Sequence, residues 1–265
     1  MSITGFNHPG RGVGIRDHQL ILPSVVCSTH ISRKIATQVG AITFAHQNGC
    51  GIIGQDVSGI DNFFIALASH PNVQSTLVVS LGCETTQGPE LLPKIDQKQS
   101  DLLVIQDSGG AAATYDKGVE LATKLRSANP STKATLDKLI VGLDISRLID
   151  TDLLQKALTD ANFQVEVATD NSTANLANLM RAKAHLIISL PDENQPPTGL
   201  PLIPVINIAS NSPLHTALIN EFDLPKNFEV NQLLELINQV ANGQKTKSEL
   251  SGIGEIIAPR LVRST

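Results

Sequence analysis

Three cysteines, a histidine and a glutamate are the residues of this chain whose types and spacing could do chemistry. Cys27 closes PSVVC, Cys50 stands in HQNGCG (46–51) with His46, and Cys83 precedes Glu84 in SLGCE. Each group follows an apolar run. Thiolate and imidazole ligands together suit iron or zinc better than magnesium or calcium. Three thiolates with an open fourth position could also hold an iron–sulfur cluster. No CxxC or HxxxH spacing occurs, so any ligands must come from separate segments. The competing reading is burial, because free cysteine often behaves as a small hydrophobe.

The elements that would position these residues alternate. Strands are expected at LILPSVVC (20–27), AITFA (41–45), STLVVSLGC (75–83) and DLLVIQD (101–107), the first ending at its cysteine. Helices are expected at THISRKIATQV, at GIDNFFIALAS with Ile60, Phe63, Phe64 and Leu67 inward, at PELLPKI, and at 114–125, opened by Thr114. The second half repeats the rhythm. Strands are expected at 139–145, 164–168, 185–190 and 202–209. Helices are expected at 151–161 behind Thr151, at 172–184, at SPLHTALINEF, and at 228–243, stopped by Gly243. GEIIAPRLV ends the chain. Strands apolar on both faces between helices predict an α/β fold of two Rossmann-like lobes with mostly parallel sheets, divided near SANPSTKAT into residues 1–130 and 131–265. Parallel strands would put the three cysteine motifs, with Gln106 and Asp107, at the carboxyl edge of one sheet, where ligands of open α/β sheets bind. GRGVGIRD follows no expected strand and resembles a phosphate loop only loosely; Arg16 there offers a planar fork for a carboxylate. DSGG (107–110) reads as an anion-holding turn or a plain one. His70 in SHPN reads as a surface residue.

Composition narrows the partners. A net charge of −5 gives no basic field for nucleic acid. No apolar run reaches the roughly 18 residues of a membrane span. A cytoplasmic location is the expectation, where cysteines are thiols or metal ligands rather than disulfides. Aromatic content of 3% requires an aliphatic core.

GFNHPGRGVGIRD, PSVVCS, HQNGCG, the HPN stretch, VVSLGCE, IQDSGG, TYDKGVEL, VGLDI, PVINIASNSPL and NGQKTKSELSGIGE, in this order, resemble the altronate and galactarate dehydratase family, which also contains the large subunit of sulfolactate sulfo-lyase. The resemblance implies a lyase that takes the proton α to the carboxylate of a sugar acid and expels a β-hydroxyl, usually with iron or another divalent metal. It implies metal-binding or central roles for Cys27, Cys50, Cys83 and His46. Arg16, Gln106 and Lys247 become substrate binders, and Thr246 falls on a motif position. His46 and Glu84 are the candidate catalytic bases, Glu84 on condition that burial raises its pKa. The family continues after VGLDI with CGGSD and a long insertion, where this chain runs ISRLIDTDLL. A compact member is therefore expected, completed by a separate small β-rich subunit and compatible with a homo-oligomer. A non-catalytic member binding a small acid is the alternative.

Overall fold

The computed structural model describes residues 3–95, 97–145, 151–169, 172–193 and 195–258. In chain order the elements are β1 (Ile3–His8), β2 (Gly12–Gly14), β3 (His18–Pro23), α1 (Thr29–Val39), α2 (Gln55–Ala68), β4 (Val73–Ser80), α3 (Gly88–Leu91), β5 (Ser100–Val104), α4 (Ala111–Ala128), β6 (Thr132–Leu136) and β7 (Ile140–Ile145). They continue as α5 (Asp152–Asp160), β8 (Gln164–Ala168), α6 (Ser172–Arg181), β9 (Leu186–Leu190), β10 (Val205–Asn207), α7 (Ser212–Ala217), α8 (Val230–Ala241) and α9 (Lys247–Ser251). The fold is α/β. Two compact units divide it. The N-unit holds residues 7–12, 17–132 and 256–258; the C-unit holds 3–6, 13–16 and 133–255. Strands β1, β2 and β6 form one sheet in the order β2-β1-β6. Among the described residues no helix is long and apolar enough to cross a membrane.

The N-unit is built on the parallel sheet β3-β4-β5. Its central strand β4 is buried at every position, as a strand covered on both faces must be. Helix α1 spans the expected residues because Ile31 and Ile35 recur on one face and Gly40, at φ 68°, supplies the left-handed C-cap. Gly118 in α4 lets that helix lie against α1: a Cβ there would meet Ile35 Cδ1 at 2.2 Å. Ile60, Phe63, Phe64 and Leu67 of α2 are all buried, as expected.

Several boundaries differ from the sequence reading. Strand β3 stops at Pro23, and a short 3-10 turn, Val26–Ser28, carries Cys27. The stretch 41–45 meets β3 in a single bridge, Leu20 to Ile42, and then leaves it. There the Thr43 hydroxyl donates to the Ile21 carbonyl at 2.7 Å, occupying an acceptor the ladder would use next. Helix α4 begins three residues before Thr114, whose buried hydroxyl bonds back to Gly110 O at 2.7 Å rather than capping. The glycine-rich opening does follow a strand, since GRGVG forms the turn and second strand of the β1–β2 hairpin. His70 is fully buried. The segment 146–150 and the tail from Pro259 lie outside the described residues.

The C-unit carries the parallel sheet β10-β9-β7-β8. Its core joins Val141, Leu143, Leu186, Ile188 and Ile206 to Leu233, Ile237 and Val240 of α8. Helix starts follow capping chemistry. Asn211 accepts from Leu214 N–H at 2.8 Å, and Glu229 and Gln232 form a reciprocal box at α8. Gly254, at φ 100°, crosses Gly199 so closely that a Cβ on it would lie 2.2 Å from the other backbone.

Asp17 ties the N-unit together. Its carboxylate accepts from His8 Nε2 at 3.0 Å, from the Ser131 hydroxyl, and from Arg126 Nη2 at 3.0 Å. Burial alone would raise its pKa; these partners outweigh it and hold the group at about 2. The folded-state value is depressed, so this stability is present above the unfolded value near 3.8 and lost as the pH falls through 2. After discounting for solvent screening, Asp17→Asn is expected to cost about 1 kcal/mol at neutral pH. In urea titrations the cost should disappear near pH 2; one that persists there would refute the assignment.

Candidate metal and thiol site

Three loops meet beyond the carboxyl ends of the N-unit strands. Val26 N–H donates to the Asn48 carbonyl at 3.0 Å, drawing the Cys27 turn onto the HQNGCG turn. Thr85 then donates both its N–H and its hydroxyl to the Cys50 carbonyl, each at 2.9 Å, and accepts from Ile52 N–H at 3.2 Å. These backbone bonds bring the three cysteines together. The Cys50 thiol has both Cys27 and Cys83 as electrostatic neighbours. Partial burial, and then the two neighbouring thiols, push it above its ordinary pKa. Cys27 and Cys83 are exposed and Cys50 is half-buried. Gln106 joins the same edge. Its N–H donates to Leu81 O at 3.1 Å, and its side chain lies over Gly82, where a Cβ would meet Oε1 at 2.7 Å.

Glu84 is buried and accepts from Ser24 Oγ (2.6 Å), Ser80 Oγ, Leu81 N–H (2.9 Å) and Gly82 N–H (2.7 Å). Burial pulls its pKa up, but the two hydroxyls and the backbone donors together hold it below the usual carboxylate range. The condition set for Glu84 as a base is therefore not met, because an ionised carboxylate with this many donors is a weak proton acceptor.

His46 is also committed. Its Nδ1 accepts from Asn48 N–H at 2.9 Å, so the proton sits on Nε2. That nitrogen is buried without a hydrogen-bond partner. The ring is packed against Phe44 and Phe64, with centroids at 6.2 and 5.4 Å. Burial, outweighing the upward pulls of Asn48 and Glu84, lowers its pKa to about 4. A neutral ring with its lone pair occupied and its N–H enclosed cannot take an α-proton. It shapes the turn instead. His70 does the same in HPN, where Nδ1 accepts from Asn72 N–H at 3.1 Å. Gln47, between His46 and Asn48, holds the chain end of the N-unit: its amide donates to Ile256 O at 3.1 Å and accepts from Ala258 N–H at 3.2 Å.

The other expected site residues lie in the C-unit. Arg16 does bind a carboxylate, that of Glu249, through Nε–Oε1 at 2.7 Å and Nη2–Oε2 at 2.9 Å. Its remaining donors reach the carbonyls of Ile15, Val240 and Gln244 at 2.8–3.0 Å. Glu249 also accepts from Thr246 N–H at 2.9 Å while Thr246 caps α9. Lys247 Nζ donates to the carbonyls of Ile219 and Phe222, both at 2.6 Å. The TKSE motif is thus a helix cap and an arginine clamp, which a [ST]-x-x-[DE] pattern could have announced. Ser24 and Ser80, which hold Glu84, sit inside quoted motifs, yet hydroxyls carry no distinctive sequence signal.

Residues 5–129 match the family model described as D-galactarate dehydratase/Altronate hydrolase, second domain. Through this segment the chain is similar to the altronate/galactarate dehydratase family. The altronate dehydratase of Escherichia coli (strain K12) is 31% identical over 108 residues, covering 36% of this chain and 22% of that protein. That of Bacillus subtilis (strain 168) is 24% identical over 153 residues, covering 52% and 31%. Each match thus spans less than a third of the relative's own length. Among solved structures, a two-component system response regulator/GGDEF domain protein aligns over 86% of this chain and 100% of its own, at 12% identity and a TM-score of 0.31, too slight a likeness to carry an argument.

The matched segment contains the whole thiol edge. Among the described residues no group of three His, Cys, Asp or Glu side chains stands ready-made around an ion position. The donor set nevertheless fits a thiophilic metal. One thiol has two thiol neighbours, and the outer two are exposed and free to turn about χ1. His46 does not join that set as it stands, since neither ring nitrogen offers a lone pair.

Proposed function

We propose that this chain serves a hydro-lyase reaction on a hydroxylated sugar acid such as altronate or galactarate, with Cys27, Cys50 and Cys83 holding iron or another divalent metal. The observation that carries the reading is the meeting of three thiols at one sheet edge inside the family-matched segment. A metal there, when bound, stabilises negative charge on the substrate as the α-proton leaves. The chain's own residues mount the edge: Glu84 fixes the Cys83 loop to the hydroxyls of Ser24 and Ser80, and His46 sets the Cys50 turn.

The reading that a partner subunit completes the site draws on one further observation. Glu84 and His46, the two titratable groups expected to act as base, are both tied down. A β-elimination needs an acceptor for the α-proton. We place that group on a partner, such as a small β-rich subunit, or on a further segment of a longer polypeptide.

Metal content of anaerobically purified protein, together with 2-keto acid release from a panel of aldonic and aldaric acids, tests both parts. The reduced chain should take up iron or zinc stoichiometrically, and Cys50→Ser should weaken that affinity by at least about tenfold. Turnover by the iron-loaded chain alone should be slow. Brisk turnover would remove the need for a partner, and unchanged metal affinity in Cys50→Ser would remove the thiol site.

A further inference from the structure

The same three thiols are arranged for a second chemistry. The Cys50 turn is bonded to the loops that carry both other cysteines, and Cys27 and Cys83 are the exposed members. The approach of the thiols is set by the backbone, because the loops are laced by the Val26–Asn48 and Thr85–Cys50 bonds at 3.0 and 2.9 Å. An exposed thiol meets a diffusing oxidant first, and a half-buried thiol on a loop bonded to it is placed to finish the reaction.

We propose that the cysteine edge is a peroxide-responsive thiol switch in which Cys50 is the shared resolving residue. Its regulatory meaning rests on the metal reading above; its chemistry does not. In the first step the sulfur of Cys27 or Cys83 attacks a peroxide oxygen. The O–O bond breaks, the sulfur becomes a sulfenic acid, and one water leaves. In the second step the Cys50 sulfur attacks that sulfenic sulfur. The S–S bond forms, the S–O bond breaks, and a second water leaves carrying the Cys50 proton. Two thiols are oxidised by two electrons and one peroxide is reduced to two waters. One cysteine stays free whichever partner reacts, so at most one of the three sulfurs can still serve as a thiolate ligand.

Two features favour Cys50 as the common partner. It is the sulfur whose two neighbours are both thiols. Its turn, HQNGCG, flanks the cysteine with Gly49 and Gly51, where an added Cβ would meet nothing within 4 Å, so the backbone has room to shift as the S–S bond closes.

The experiment uses the full, reduced, metal-free chain, so its outcome is independent of whether a metal binds. The protein is treated with stoichiometric hydrogen peroxide, alkylated, digested without reductant and mapped by mass spectrometry. Every intramolecular disulfide should contain Cys50, as Cys27–Cys50 or Cys50–Cys83, and dithiothreitol should reverse it. In Cys50→Ser the sulfenic acid should persist at Cys27 or Cys83, with dimedone labelling raised at least about tenfold over the parent. Cys27→Ser, which leaves the Cys50–Cys83 pair intact, should still form its disulfide and guards against a folding defect in Cys50→Ser. A Cys27–Cys83 bridge as the main product, or equal dimedone labelling in parent and Cys50→Ser, would overturn the proposal.

Discussion

Arg16→Ala should unfold the C-unit more readily by about 3–5 kcal/mol, the usual cost of stranding one member of a buried ion pair. The guanidinium is buried, and its Nε and Nη2 grip Glu249 at 2.7 and 2.9 Å. Removing it takes the two-pronged donor from the Glu249 carboxylate, and takes from the Ile15, Val240 and Gln244 carbonyls the guanidinium they now share. Arg16→Lys should recover little, because an ammonium cannot reproduce the fork. Glu249→Gln keeps an oxygen for the Thr246 cap but strands the guanidinium charge, and should cost nearly as much. A paired Arg16→Met, Glu249→Leu change should cost clearly less than the sum of the single changes. Chemical denaturation of the parent, Arg16→Met, Glu249→Leu and the double variant gives the cycle. A loss below about 1 kcal/mol for Arg16→Ala would show the pair to be ordinary surface charge.

The second large effect is acid sensitivity centred on His185. Its Nδ1 accepts from Ile140 N–H at 3.0 Å and its Nε2–H donates to Val13 O at 3.0 Å. Burial lowers the ring's pKa to about 4, against a smaller upward pull from the Val13 bond. The folded value lies below the unfolded one of 6.5, so the neutral ring's contribution is complete above pH 6.5 and drains away as the pH falls through 4. That shift corresponds to roughly 3 kcal/mol across the window. His46 acts in the same direction in the N-unit, also from 6.5 to about 4. Asp17 adds its loss only below its unfolded value of 3.8. Urea titrations at pH 7, 5.5 and 4.5 should therefore show falling stability before Asp17 adds its loss. His185→Gln, unable to titrate, should flatten the C-unit part of that slope. A profile flat from pH 7 to 4.5 would mean the imidazole is not buried neutral.

What the sequence disclosed divides along physical lines. Helix α1 was readable to the residue, because Ile31 and Ile35 state the period and Gly40 states the stop. The parallel sheets followed from mostly apolar strands such as β9, LIISL, buried at every position. Strand ends were misjudged where one side chain intervenes: Pro23 withholds an N–H, and Thr43 takes a ladder carbonyl with its hydroxyl. At the site, residue types were legible and their states were not. Glu84 read as a base because it is an acid beside a cysteine; its donors, Ser24 and Ser80, are far in sequence or chemically quiet. Arg16 read as a binder of the substrate carboxylate; in the fold its fork holds Glu249, 233 positions away in the chain.

The hydrogen bonds to Glu84 have a spectroscopic consequence. Two of its donors are the main-chain amides of Leu81 and Gly82, one residue or two before Cys83. Hydrogen exchange at those amides requires the carboxylate to let go, so their protection factors and proton shifts register the state of the cysteine loop from beneath. They are intrinsic reporters of that loop, carry no label, and are touched by none of the substitutions proposed for the sulfurs.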